Sequence, residues 1–226
     1  MGQYLILKLE GPMQAWGGHT YEDHRPTELF PTRSGLVGLL AACLGIDRAD
    51  SESQQALSDS FRYAVRSDAG REVAGTTVRK TVMTDFHTIM DARKVDGKAN
   101  KYPVVSRRDY LCDASFTVAM EFVDGARFGR KQLQEAVEKP RYTPSLGRRS
   151  CPLGRPVFED VVEASSALEA LSNVEPGRGT VYSEFPAERA TVLRVRDVPS
   201  FGERRRFLTR EVHVHGEEEE HVPEQG

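Results

Sequence analysis

The chain has 226 residues, of which 38% are hydrophobic and 29% charged, ordinary values for a soluble globular protein with one large domain or two small ones. No apolar run is long enough to cross a bilayer and, with no basic n-region or cleavage site before the first strand pattern, no signal peptide is expected, while three scattered cysteines (Cys43, Cys112, Cys151) fit a reducing cytoplasm better than a disulfide framework. The formal charge of −3 misleads, because residues 217–226 hold five glutamates and no Lys or Arg, so the rest of the chain is net positive and a nucleic-acid ligand is not excluded.

Residues 4–10 alternate, with Leu5, Leu7 and Leu9 on one face and Tyr4, Ile6, Lys8 and Glu10 on the other, which predicts a strand over a core. Gly11-Pro12 ends it, and a polar loop holding His19 and His24 runs from 13 to 32. Ser34 is the expected N-cap of a helix over 35–44, with Gly45 as its stop. That helix is apolar on every side, so burial is expected, with Gly35 and Gly38 allowing close approach to a sheet. A second helix over 52–58 and a strand over 61–66 follow.

Residues 73–110 lack an apolar face, are rich in Arg and Lys, and carry a turn signal at Asp96-Gly97, which predicts a β-hairpin arm leaving the core. Phe116, Val118, Met120 and Phe122 share one parity and predict a core strand. A helix over 130–139 buries Leu133, Ala136 and Val137, and Pro140 stops it. A strand is expected near 157–162. The core order is then β-α-β-β-α-β, an α+β, ferredoxin-like (RRM-like) arrangement. The domain reading is a palm over 1–163 with an inserted arm at about 73–108, and a smaller, mainly β domain over 164–216. That second domain carries a short helix at 167–171 and strands near 180–185, 190–195 and 207–215. The acidic tail, 217–226, is expected to be disordered.

Residues 139–158 (KPRYTPSLGRRSCPLGRPVF) hold Lys139, Arg141, Arg148, Arg149 and Arg155, four prolines, two glycines and no acid. A helix face normally mixes charge signs, and a core strand alternates apolar residues. This segment does neither, and reads as a shaped loop offering guanidinium forks and backbone N–H groups to phosphates. Thr32, Arg33 and Ser34 at a helix start form a second anion-binding candidate. Arg79, Lys80, Arg93, Lys94, Lys98, Lys101, Arg107 and Arg108 make the arm a candidate wrap around a nucleic acid. Acid–base chemistry is the competing possibility, with His19 or His24 beside Tyr21 in a metal-independent endoribonuclease. His213, His215 and His221 form at most a fragment of a metal set, so no metal and no cofactor are expected.

The segments YLILKLEGPMQAWG (4–17), FPTRSGLVGLLAACLGI (30–46), DYLCDASFTV (109–118) and TPSLGRRSCPLGRP (143–156) resemble the CasD-type subunits of type I-E CRISPR Cascade complexes, in the repeat-associated RNA-binding superfamily. The resemblance implies a palm, a thumb at about 73–108, and a glycine-rich loop at 146–154. It implies a subunit at one end of the complex that holds the 5′ handle of the CRISPR RNA, with the thumb folding over the guide. The implied neighbours are a backbone subunit and the large subunit, with target DNA reached only through the assembled complex and no membrane contact. Type I-E complexes cut precursor RNA with another subunit, so a non-catalytic role is implied. The expected RNA-binding residues are Met13, Gln14, Trp16, Thr32, Arg33, Ser34, Arg79, Lys80, Arg107, Arg108, Arg141, Arg148, Arg149 and Arg155. Trp16 is read either as a base-stacking residue or as a core residue, and Met13 and Gln14 as base-edge contacts.

Overall fold

The computed structural model describes residues 1–73, 76–93, 96–187, 190–201 and 206–216; Lys94 and the acidic tail at 217–226 lie outside the described residues. In chain order the elements are β1 (Gly2–Glu10), β2 (Met13–Gln14), β3 (His24–Arg25), α1 (Arg33–Leu44), α2 (Ser51–Asp59), β4 (Phe61–Asp68), β5 (Arg71–Val73), β6 (Thr76–Val78), β7 (Thr81–Ile89), β8 (Val104–Cys112) and β9 (Ser115–Phe122). Then come α3 (Arg130–Glu138), β10 (Phe158–Ala164), α4 (Ala167–Ser172), β11 (Gly179–Ser183), β12 (Thr191–Ser200) and β13 (Arg206–His215). Among the described residues no helix is long and apolar enough to cross a membrane.

One sheet of seven strands, ordered β10-β1-β9-β4-β11-β13-β12, runs through the molecule, and every neighbouring pair in it is antiparallel. The strands of residues 179–215 therefore continue the sheet outward from β4. Period-two alternation puts Leu5, Leu7, Leu9, Val65, Val118 and Met120 in one core cluster with Leu36 and Leu40 of α1 and Leu133 and Val137 of α3. The opposite face is also covered: Tyr4, Ile6, Ala64 and Ala119 pack with Ala167, Ala170 and Leu171 of α4.

The buried charges on that second face, Lys8, Arg66 and Asp68, are paired with one another. Lys8 Nζ lies 2.7 Å from Asp68 Oδ2 and donates to Thr117 Oγ1 at 2.8 Å. Arg66 Nε donates to Asp68 Oδ1 at 2.7 Å. The same two cations bind carbonyls at and just beyond the end of α4: Arg66 reaches Leu171 and Val174, and Lys8 reaches Glu175. Cations at a helix C-terminus answer both its unpaired carbonyls and its dipole.

Thr32, not Ser34, caps α1; its hydroxyl accepts from the Gly35 N–H at 3.3 Å, and Gly45 ends the helix in a left-handed turn at φ +73°. The two helix glycines serve differently from expectation. A Cβ on Gly35 would lie 2.7 Å from the Trp16 ring, whereas one on Gly38 would face open space. The arm is a hairpin of β7 and β8 in register from Thr81↔Cys112 to Ile89↔Val104. The other edge of β8 pairs with β2 and, in parallel, with β3. The hairpin is thus rooted on the first loop.

Candidate nucleic-acid interface

Backbone bonds close the glycine-rich loop on itself and tie it to the first loop and to the end of β1. Ala15 N–H donates to the Leu146 carbonyl at 3.0 Å, Leu146 N–H to the Cys151 carbonyl at 2.9 Å, and Gly154 N–H to the Glu10 carbonyl at 2.7 Å. Gly147 has φ +85°, and a Cβ there would fall 1.7 Å from the Ala15 carbonyl oxygen. The close backbone approach that this glycine permits is to the protein itself.

Arg148 joins three segments. Its guanidinium donates to the Asp109 carbonyl at 3.0 Å and the Arg25 carbonyl at 2.8 Å, and lies 4.7 Å from the Tyr110 ring centroid. It fixes the glycine-rich loop against β3 and the root of the hairpin. Beside it opens a pocket of about 240 Å³ lined by Ala15, Trp16, Gly17, Ser34, Gly35, Gly147 and Arg148. The first loop, the start of α1 and the glycine-rich loop therefore meet at one open surface.

Four expected RNA contacts are instead engaged inside the protein. Gln14 is fully buried, donates to the Leu9 and Ala114 carbonyls, and accepts from Trp16 Nε1 at 3.0 Å. Trp16, 2% exposed, belongs to the core. The Thr32 hydroxyl donates to the Trp16 carbonyl at 2.6 Å. Arg33 is buried: it pairs with Glu184 at 2.5 Å, donates to the Ser58 and Phe61 carbonyls, and covers the Phe61 ring.

The start of α1 already holds an anion, because the Arg33 N–H donates to Asp197 Oδ2 of β12 at 2.8 Å. Arg210 grips both Asp197 oxygens, at 2.7 and 2.8 Å, and bonds the Tyr63 hydroxyl at 2.6 Å. Burial pushes the Tyr63 phenol well above its ordinary range, so it stays a neutral hydroxyl in this network.

The remaining expected residues divide by exposure. Met13 is half-buried in β2, and Ser34 is half-buried on the pocket wall. Arg79, Arg107, Arg141 and Arg149 are exposed. Arg108 is half-buried and bonds Ser106 Oγ at 3.1 Å. Lys80 donates to Ser67 Oγ at 2.7 Å and sits over the Phe116 ring, so it roots the arm in the sheet. Arg155 is paired with Glu159. Of the histidines, His19 is exposed, and His24 Nε2 lies 2.8 Å from Asp109 Oδ2, while His24 N–H donates to the Tyr21 carbonyl. The described residues contain no group of three or more His, Cys, Asp or Glu placed to hold a metal ion. Burial pushes the Cys43 thiol up to about 11, which argues against a reactive thiolate there. The exposed apolar side chains of the arm, among them Phe86, Met90 and Tyr102, are too scattered in the sequence to stand out as a site.

The family described as CRISPR-associated protein (Cas_Cas5) matches residues 4–213. The chain is 48% identical over 220 residues to the "CRISPR system Cascade subunit CasD" of Escherichia coli (strain K12), covering 95% of this chain and 96% of that one. Among solved structures, a chain of a "CRISPR RNA-guided surveillance complex" superposes with a TM-score of 0.69 at 28% identity, over 94% of this chain and 89% of that one. A "Crystal structure of Cas protein" gives a TM-score of 0.60 at 32% identity, over 94% and 93%. A match from the first strand through β13, carried by sequence and architecture together, places the chain in the CRISPR-associated Cas5 family.

Proposed function

We propose that this chain is a non-catalytic, RNA-binding subunit of a type I-E CRISPR surveillance complex, and that it holds the 5′ handle of the CRISPR RNA for antiviral defence. The observation that carries the reading is the surface where the glycine-rich loop, the first loop and the hairpin root are locked together by Arg148. Exposed Arg149 and Arg107 lie on those segments, and among the described residues no acidic side chain pairs with either. In this reading β10-β1-β9-β4, with α1 and α3, is a ferredoxin-like palm and β7–β8 is its thumb. Residues 164–216 then serve as the C-terminal part, which supplies Asp197 and Glu184 to neutralise the α1 start. Its partners would be the neighbouring backbone subunit and the large subunit, with target DNA met only in the assembled cytoplasmic complex.

The test is Arg149→Ala in a binding assay with handle RNA across a salt series. Affinity should fall, and the slope of log K against log salt should drop by about one phosphate contact's worth, ~0.7 for a single strand. An unchanged affinity and slope would remove the loop from the site. Arg148→Ala is a poorer probe, because it also frees the loop from the hairpin. Cleavage of repeat RNA in EDTA that disappears in His24→Ala would replace this reading with an endoribonuclease.

A further inference from the structure

Three planar side chains stand in one row across the root of the hairpin. Phe86 of β7 is paired directly with Arg107 of β8, and Arg107 is paired on its other side with His24 of β3. Residues paired this way project from the same face of a sheet. The His24 contact agrees: its Nε2 reaches Asp109, which lies two residues beyond Arg107 on the same face of β8. Thr84, paired with Asp109, donates to its other oxygen at 2.8 Å. Asp109 thus sets the orientation of the imidazole, while the row itself stays open. Phe86 is 63% exposed, the His24 side chain is 46% exposed, and Arg107 is exposed.

The fold makes no visible use of Phe86, which belongs to neither core cluster among the described residues. Phe86 is not a lone surface apolar side chain, since exposed Val82 and Val105 share its face, and a grouping of that sort marks a contact surface. The neighbours decide which kind. Around Phe86 this face carries Arg107, Thr84, Thr88 and the His24–Asp109 pair together with Val82 and Val105, whereas Met83, Ile89 and Val104 share the other face of the hairpin with Asp85, His87 and Arg108. An aromatic ring beside a guanidinium and an imidazole suits unstacked bases, which stack on Phe, His and Arg planes alike, while the cation draws in the phosphate chain.

We propose that Phe86, Arg107 and His24 form a base-stacking platform for single-stranded RNA at the root of the hairpin, with Asp109 as the positioning residue for His24. The proposal rests on the RNA-binding reading above and adds the mode of contact. Bases here are held by their faces, so the platform tolerates any base.

The test uses the full chain and a short single-stranded RNA carrying 2-aminopurine, whose fluorescence falls on stacking. Phe86→Ala should weaken binding about tenfold and lose the quenching, within the range of a single base–aromatic stack. Phe86→Trp should keep both, and the salt slope should not change, because no phosphate contact is removed. Wild-type affinity and quenching in Phe86→Ala would overturn the platform and leave the RNA reading standing. A wild-type chain that binds no RNA would overturn both. If Phe86→Ala keeps RNA binding and instead fails to assemble with a neighbouring protein subunit, the face is a protein contact and the platform is overturned.

Discussion

Gly147 is the least replaceable position in the glycine-rich loop. At φ +85° any L side chain is strained, and a Cβ would collide with the Ala15 carbonyl oxygen. Gly147→Ala should lower stability by about 2–4 kcal/mol, read as a lower urea midpoint at unchanged m-value. A midpoint equal to wild type would show that the two loops are not locked as described. His215 makes a second residue-scale case. Its Nε2 is buried without a hydrogen-bond partner among the described residues, and burial, then the neighbouring His213, pushes its pKa below 6.5. The sign follows from linkage: with the folded value lowered, the unfolded chain takes up the proton first. Stability should therefore decline as pH falls from 6.5 toward the folded value and level off below it. His215→Leu should flatten that part of the stability–pH curve, and an unaltered curve would assign the acid loss to other groups.

At the scale of elements, α4 is held by charge as much as by its alanines. Asp68 balances both Lys8 and Arg66 in a nearly dry site, where the three side chains are 9%, 3% and 2% exposed for Lys8, Asp68 and Arg66. Asp68→Asn leaves two buried cations facing each other across an amide. Removing one partner of a buried ion pair costs about 3–5 kcal/mol, and this substitution should fall in that range. Thermal unfolding followed by circular dichroism would measure it, and a loss under about 1 kcal/mol would mean that water relieves the cluster. Local pattern finds such elements well but not their partners. The alternation of residues 4–10 identifies β1, and GLVGLLAACL identifies α1. Lys8 reads as a solvent-facing lysine until Asp68, sixty residues on, is folded beside it.

Across the whole molecule, the expected phosphate sites separate into those that face outward and those answered from within. Thr32-Arg33-Ser34 is a sound anion motif by sequence, and an anion does sit at that helix start. It is Asp197, 164 residues away, and Arg33 finds Glu184 at a separation of 151. No local rule reveals such pairings, because they depend on β11, β12 and β13 extending the sheet from β4. The glycine-rich loop was legible because its composition excludes both helix and core strand. The role of Arg148 was not, since its acceptors are two carbonyls from distant segments. Phe86 was missed for the opposite reason: one aromatic in a polar strand looks unremarkable until its row across three strands is visible.

The three-way grip of Arg148 has a mechanical consequence. The loop, β3 and the hairpin root are tied together by one side chain, so in the proposed RNA-binding role an incoming strand would not have to order them. In that role the ordering cost of association would fall on the RNA and on exposed side chains such as Arg149, and affinity would come from preorganisation instead of added contact area. A strand that displaced the outer hairpin would act on the loop through the same guanidinium.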